Sequence, residues 1–348
     1  MDVPHLNFSI EEDSAIEGAK RILSHFRPTW DLSRIKFKVF TDGTTNKLVG
    51  FFDPQNASDV VLIRVNGNKT DLLIDRKKEA ETIKILHAAG LAPALYGTFD
   101  NGLVYEYVPG VVLTVDTVRA DTTSALVAKK MADMHRVKPE NGGTTPEPAL
   151  WPTINKFLSQ VPETFTHPEK RRRFDELFPS KPDLRKEFTF LEKELGSLNS
   201  PVVLCHNDLL VRNIIYNSED ESVTFIDYEY ADFNYQAYDI ANHFNEFAGI
   251  EMVDYRLYPN EMLQNRWLRV YLERYSENEG VGGARNVRDD EVEELRQKVE
   301  KFTLASHFLW GVWALLQGEY STIEFDFIEY ASIRLNEFLK IKKKLYGH

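Results

Sequence analysis

Strand-type patterning crowds into the first third of this chain, and helical periodicity takes over beyond residue 110. Ile35-Lys36-Phe37-Lys38-Val39-Phe40 alternates with period two. Leu48-Val49-Gly50-Phe51-Phe52 follows the turn-type cluster Thr41-Asp42-Gly43-Thr44-Thr45-Asn46. Successive side chains of a strand face opposite sides, so this pattern predicts a hairpin. Residues 60–65 predict a third, more buried strand. Residues 77–89 predict a helix, with Ile83, Leu86 and Ala89 on one stripe and Gly90 as its stop. Strands at 95–99 and 103–107 follow, joined by Asp100-Asn101-Gly102, and Val108-Pro109-Gly110 breaks the pattern.

Past that break the periodicity predicts helices over 122–135, 182–195, 261–275, 290–316 and 323–345. Two short strands interrupt them, at 214–216 and 223–226, with a hairpin loop at 217–222. The stretches 138–152 and 280–283 read as loops and are expected to be mobile insertions. The plan is α+β with two lobes: a strand-rich N-terminal lobe over 1–108 and a mainly helical C-terminal lobe over 109–348. A length of 348 residues suits two domains, and 43% apolar residues suffice for their cores.

Asp and Glu total 54 against 42 Lys and Arg, a net charge of −12. A nucleic-acid binder needs a basic stripe to displace counterions, so nucleic acid is an unexpected partner. The same charge disfavours docking on anionic membrane. The longest apolar stretch, 308–316, is nine residues and contains a glycine, which fits no membrane span. The first residues, Met1-Asp2-Val3-Pro4-His5, lack the basic and apolar parts of a signal peptide. Cys205 is the one cysteine, so no internal disulfide forms and a reducing, cytoplasmic setting is expected.

His206-Asn207-Asp208-Leu209-Leu210-Val211-Arg212-Asn213 has the form H-x-D-L-x-x-x-N. Nineteen residues after Asp208 comes Ile226-Asp227-Tyr228, at the end of the second hairpin strand. Protein-kinase-type phosphotransferases place their catalytic loop and metal-binding Asp this way. A hydroxyl nucleophile needs a carboxylate to orient it and accept its proton, and ATP brings Mg²⁺, a hard cation that takes oxygen ligands. Asp208 is therefore assigned as the base, with Asn213 and Asp227 as Mg²⁺ ligands. Arg212, four residues after Asp208, could offset charge on the transferring phosphoryl group; a surface salt bridge is the alternative.

The upstream lobe adds a nucleotide set. Val61-Leu62-Ile63-Arg64 stands where kinases carry Val-Ala-Ile-Lys, and an arginine can hold phosphate oxygens as a fork. Glu79, early in the next helix, is its natural ion-pair partner. Gly43, Thr44, Thr45 and Asn46 form the candidate phosphate-covering turn, and Glu106, on the last strand before the break, completes the set. Gly67-Asn68-Lys69-Thr70 is rejected as a Walker motif, since it lacks the glycine before Lys and the upstream glycine.

No Ala-Pro-Glu follows Asp227 to close a protein-kinase activation segment. The chain is instead dense in rings and carboxylates from Tyr228 to Phe247. Trp310 and Trp313 share a helix face, and Tyr330 lies on a later helical segment. Ring faces with a carboxylate suit a small cation, although such a stripe can also be plain core.

The words His-Asn-Asp-Leu-Leu at 206–210, Phe-Ile-Asp-Tyr-Glu-Tyr at 225–230 and Asp-Ile-Ala-Asn-His-Phe-Asn-Glu-Phe at 239–247 resemble the choline/ethanolamine kinase family. The likeness extends over 35–110 and 308–330, and is weaker over 111–200 and 250–300. It implies the two-lobed protein-kinase-like fold of choline kinases and aminoglycoside phosphotransferases. It implies ATP and Mg²⁺ as cofactors, with Arg64 and Glu79 serving ATP. Asp208, Tyr230, Glu246, Trp310, Trp313 and Tyr330 would line an amino-alcohol pocket, and Asp239 would steady the catalytic loop. The products would be phosphoethanolamine or phosphocholine for phospholipid synthesis. Family members often dimerise, so a homodimer is among the expectations.

Residues 67–72, Ile74-Asp75-Arg76 and Asn245-Glu246-Phe247-Ala248-Gly249 are similar to the ethanolamine kinase branch. Ala241 departs from the glycine expected in the Asp-Ile-Gly-Asn-His word. Glu251 stands where choline kinases tend to carry an aromatic, and a primary ammonium seeks carboxylate acceptors that trimethylammonium does not need. Ethanolamine kinase is the favoured reading. Choline kinase, an enzyme using both substrates, an aminoglycoside phosphotransferase and a pseudokinase-type ATP-binding module stay as alternatives.

Overall fold

The computed structural model describes residues 3–11, 14–40, 46–67, 74–139, 146–178, 180–277, 286–321 and 323–347. The chain divides into two units, Met1–Gly110 and Val111–His348.

The first unit runs β1 (His5–Leu6), α1 (Ala15–Phe26), β2 (Lys36–Phe40), β3 (Asn46–Asp53), β4 (Asn56–Asn66), α2 (Arg76–Ala88), β5 (Leu95–Phe99) and β6 (Gly102–Glu106). These strands form one sheet in the order β1-β5-β6-β4-β3-β2. All neighbours are antiparallel except β1, which lies parallel to β5. Val49 and Phe51 of β3, and Val61, Ile63 and Val65 of β4, share one core with Ala19, Ile22 and Leu23 of α1; β2, the strand whose sequence alternates, leaves Phe37 and Val39 exposed. Each large apolar side chain buried there contributes about 1.5–3 kcal/mol. Helix α1, which buries Gly18, Ala19, Ile22 and Leu23, is an addition to the elements expected from the sequence. Gly97 sits at a register shift in β5, where a Cβ would come within 2.1 Å of the Phe26 ring, so only glycine fits. Helix α2 begins at Asp75, whose side chain accepts from the Lys77 and Lys78 N–H groups at 3.1 Å.

The second unit runs β7 (Val111–Val112), α3 (Asp121–His135), α4 (Leu150–Gln160), α5 (Pro168–Leu177), α6 (Lys181–Gly196), β8 (Val202–Cys205), β9 (Ile214–Asn217), β10 (Ser222–Phe225), β11 (Asp232–Tyr235), α7 (Gln236–Asn245), α8 (Glu261–Tyr275), α9 (Asp289–Tyr320) and α10 (Phe327–Tyr346). Strands β9 and β10 form the expected hairpin, with Phe225 opposite Ile214, and β7 extends it along β9. Strands β8 and β11 pair antiparallel, with Asp232 opposite Cys205. These two small sheets hold the 206–213 loop at both ends.

Helices α4, α5 and α7 are additions to the elements expected from the sequence. Helix α4 starts inside the stretch read as a loop; its Pro152 falls in the first turn, where a missing N–H costs nothing. All ten residues of α7 are buried, its polar side chains included. The expectation of mobile insertions falls largely on 140–145 and 278–285, outside the described residues. Among the described residues no helix is long and apolar enough to cross a membrane.

Candidate active site

The loop after β8 is held by one buried carboxylate. Asp239, in the first turn of α7, accepts the His206 N–H on Oδ2 at 2.9 Å and the Asn207 N–H on Oδ1 at 2.7 Å. His135 of α3 donates from Nε2 to Oδ2 at 3.0 Å, which leaves its Nδ1 to meet the Tyr271 hydroxyl of α8 at 2.7 Å. Burial alone would raise the pKa of Asp239, but the His135 hydrogen bond and the nearby histidines bring it below the ordinary value. Asn207 takes a left-handed φ of 65°, a conformation that Asn tolerates better than most residues. Its side chain donates to the Tyr230 carbonyl at 2.9 Å and accepts from Asn234 at 2.8 Å. His206 Nε2 meets the Ile226 carbonyl at 3.0 Å, fastening the loop to the end of the hairpin. His206 and Asn207 are thus structural members of the motif.

Asp208 follows, with its side chain buried. Its carboxyl is pushed well above the usual carboxylate range, first by burial, then by Asp227, Glu246 and Glu229, with Arg334 opposing. Asn213 donates from Nδ2 to the Asp208 carbonyl at 2.9 Å, which leaves its Oδ1 as the atom a cation could use. Asp227, two residues past β10, also has φ 65°. A left-handed aspartate costs on the order of 1 kcal/mol and is often found at functional turns.

The aromatic residues form one connected cluster. Trp313 donates from Nε1 to the Tyr230 hydroxyl at 2.9 Å. The rings of Tyr230 and Trp310 meet edge-on at 5.3 Å, and those of Trp310 and Trp313 at 5.5 Å. Trp310 Nε1 donates to Asn242 Oδ1 at 2.7 Å. Glu246, buried just after α7, accepts from Arg334 Nη1 at 2.7 Å, and the same nitrogen lies 3.3 Å from the Tyr330 hydroxyl. Edge-on ring pairs contribute about 0.5–1.5 kcal/mol each beyond their burial, so the cluster is rigid.

In the first unit, Arg64 of β4 donates from Nη2 to Glu79 Oε1 at 2.6 Å, the pairing expected from the sequence. Arg76 donates to the other oxygen of Glu79 at 3.0 Å. Asn46 accepts the Gly67 N–H on Oδ1 at 3.4 Å. Glu106 accepts the Ala94 N–H on Oε2 at 3.0 Å, a bond that ties β6 to the start of β5. Gly43, Thr44 and Thr45 lie outside the described residues.

Comparison with known proteins gives these geometries a family. The Choline/ethanolamine kinase family model matches residues 37–339. The chain belongs to the choline/ethanolamine kinase family. It is similar to ethanolamine kinase 1 of Homo sapiens, 47% identical, with 99% of this chain and 76% of that protein covered. It is also similar to the ethanolamine kinase of Drosophila melanogaster, 42% identical over 98% of this chain and 80% of that one. Among solved structures it resembles the ethanolamine kinase of Plasmodium vivax, with a TM-score of 0.82 and 29% identity, covering 94% of this chain and 89% of that one. The fold is that of the family, a strand-rich N-terminal unit followed by a helical one. Membership makes the protein a phosphotransferase and implies ATP use.

Within this choline/ethanolamine kinase, two residues named from the sequence take up a different arrangement. Arg212 and Glu251 pair with each other at 3.1 Å, their side chains 48% and 66% exposed. The carboxylate bonded into the aromatic cluster is Glu246, and Glu251 is spent on a surface bridge. Arg334, Asn242, Ser306, His135 and Tyr271 join the site from the structure alone. Arg334 leaves one readable signal, an arginine at a buried position one turn after Tyr330 in α10.

Proposed function

We propose that the protein is an ethanolamine kinase, moving the γ-phosphoryl group of ATP to the hydroxyl of ethanolamine to give phosphoethanolamine for phosphatidylethanolamine synthesis. The observation that carries this reading is the position of Asp208. Asp227, from the oxygen-donor set, and Glu246, from the aromatic set, both lie close enough to raise its pKa. One carboxylate thus stands within electrostatic reach of a metal-type donor set and of a cation-type pocket.

Asp208 accepts the hydroxyl proton as the alcohol oxygen attacks. Its burial strengthens it as a base, because a desolvated carboxylate gains more from a proton. Asp239 keeps the loop in place by gripping its backbone. The ring faces of Tyr230, Trp310, Trp313 and Tyr330 attract the ammonium group by their quadrupoles. A primary ammonium also brings N–H donors, and Glu246 has a buried Oε2 with no hydrogen-bond partner among the described residues. That acceptor favours ethanolamine over choline, whose trimethylammonium has nothing to donate.

Arg64, fixed by Glu79, holds phosphate oxygens as a fork. Asn213 Oδ1 and the Asp227 carboxylate are hard oxygen donors crowded by like charge, which fits Mg²⁺. When bound, that ion neutralises phosphate charge. We place the reaction in the cytoplasm on the strength of the single, buried cysteine.

The test is Mg²⁺-dependent ADP release with ethanolamine and with choline, side by side over a range of concentrations. A higher kcat/KM for ethanolamine supports the reading. A higher value for choline keeps the catalytic assignments and overturns the specificity. Absence of turnover with both would indicate a nucleotide-binding module without this activity.

A further inference from the structure

His243 lies in α7 one turn after Asp239, so the two side chains share the helix face that meets the 206–213 loop. Its Nδ1 is 3.1 Å from the Leu209 carbonyl oxygen. A carbonyl only accepts, so Nδ1 carries the ring proton and donates it. Aromatic side chains wall the rest of the ring. Phe247 meets it edge-on at 5.1 Å, and Trp267 and Phe244 lie tilted against it at 6.0 and 6.4 Å. Nε2 is buried, with no hydrogen-bond partner among the described residues. Burial keeps the ring neutral, its pKa lowered to about 4.

An apolar side chain would pack in that wall without the cost of desolvating a second ring nitrogen. What the imidazole adds is the bond to Leu209. The 209–210 peptide that accepts this bond also donates one, from the Leu210 N–H to the Asp208 carbonyl at 2.8 Å. One peptide plane is therefore held by its oxygen to His243 and by its nitrogen to Asp208, which closes a tight turn over residues 208–210. Asn213 donates to the same Asp208 carbonyl. Upstream, Asp239 accepts the N–H groups of His206 and Asn207. A single face of α7 thus grips the backbone on both sides of Asp208, with an acceptor before it and a donor after it.

We propose that His243 is a positioning residue for phosphoryl transfer: its Nδ1–H fixes the 209–210 peptide plane and so aims the Asp208 carboxylate at the substrate hydroxyl. This rests on the reading that Asp208 is the base. A misplacement of about 1 Å in a reacting group can cost on the order of 10²-fold in rate. Loss of the bond is therefore read in kcat, while the groups that bind ATP and the amino alcohol stay as they are.

The test is steady-state kinetics of the full chain with Mg²⁺, ATP and ethanolamine, beside a thermal melt of each variant. His243→Leu keeps an apolar filling and has no donor. It should lower kcat about tenfold or more and leave both KM values within about threefold. Asparagine carries its amide nitrogen on Cγ, where histidine carries Nδ1, so His243→Asn restores the donor. Its kcat should return to within about threefold of wild type. Trp267→Phe loosens the same wall without touching the donor; it should lower Tm and leave kcat within about twofold.

A wild-type kcat in His243→Leu overturns the proposal. So does an equal kcat in His243→Leu and His243→Asn, or a loss in Trp267→Phe as large as in His243→Leu, because either would make the effect one of packing. If His243→Leu does not fold, His243→Asn against His243→Gln decides, since the glutamine amide sits one carbon farther out, near the place of Nε2. A higher kcat in the asparagine variant supports the proposal, and an equal or lower one overturns it. Asp208→Asn separates the two levels. Turnover near wild type in that variant removes the base assignment and this proposal together. Lost turnover there, beside a wild-type kcat in His243→Leu, removes this proposal alone.

Discussion

The carboxylate of Asp239 accepts the backbone N–H of Asn207 at 2.7 Å. A hydrogen bond to a charged acceptor is worth about 1.5–3 kcal/mol, and the His206 N–H makes a second one to the same group. Asp208 is the next residue, so its position is set by a carboxylate that touches no reacting atom. Asp239→Asn retains one acceptor but loses the carboxylate that takes the His135 Nε2 hydrogen bond as well as the two backbone ones. At about 1.5–3 kcal/mol for each bond to a charged acceptor, a marked fall in Tm is expected. In the protein that remains folded, kcat should fall about tenfold or more while KM for ATP changes little. Steady-state kinetics beside a thermal melt will show this; a wild-type kcat would mean that the loop needs no such anchor.

Asp208→Asn removes the proposed proton acceptor and changes little else in shape. General-base catalysis contributes about 10²–10⁴-fold, so turnover should drop by that order. Binding of Mg·ATP, followed by calorimetry, should persist. Turnover near the wild-type rate would show that another group takes the proton.

Arg64→Gln removes the cation from β4 and leaves Glu79 with Arg76. The expected result is a KM for ATP raised about tenfold or more, with KM for ethanolamine close to wild type. A charge-assisted hydrogen bond of about 2 kcal/mol sets that scale. If the two KM values move together, the loss is one of folding and Arg64 has no particular role with the nucleotide.

The sheet of the first unit is legible because its strands are short runs of β-branched and aromatic residues bounded by turn-type clusters, and the unbroken run at 60–65 marks β4 as buried on both faces. The 206–213 loop and Asp227 are legible because the H-x-D-L-x-x-x-N form and an Asp at the end of the following hairpin have the spacing of kinase-type phosphotransferases. What the sequence hides is of two kinds. Helix α7 carries Asp239 and Asn242 and is buried at all ten positions, so its polar residues do not mark a solvent face. The Glu246–Arg334 pair joins residues far apart in sequence, and nothing local marks them as partners. Arg212 and Glu251 lie beside the motifs that drew attention to them and make a surface bridge with each other, the alternative stated for Arg212.

That bridge yields a prediction of its own. An exposed pair of this kind contributes about 0–1 kcal/mol. Glu251→Tyr should leave Tm nearly unchanged and move the ethanolamine-to-choline ratio of kcat/KM by less than about threefold. A larger swing would return Glu251 to the pocket and weaken the case for Glu246 as the specificity carboxylate.

Acid should unfold this protein earlier than its surface charges suggest. His243 is fully buried, and burial lowers its pKa from 6.5 to about 4. Burial also lowers His206, and it takes His307 well below its ordinary value with help from Arg334 and Lys340. The unfolded chain takes up these protons near pH 6.5 while the folded chain refuses them. The unfolded state therefore binds more protons between about pH 6.5 and 4, and stability falls as pH falls through that window. His243 alone would account for about 3 kcal/mol, a sizeable share of the usual 5–15 kcal/mol for a folded domain. The lowered pKa of Asp239 acts in the same direction below the ordinary carboxylate range, since its pairing is lost on protonation. Thermal melts from pH 7.5 to 4 should show Tm dropping from about pH 6.5, and His243→Gln should shallow that slope. A Tm that stays level down to pH 4 would mean that these histidines find protons, and partners for them, in the folded state.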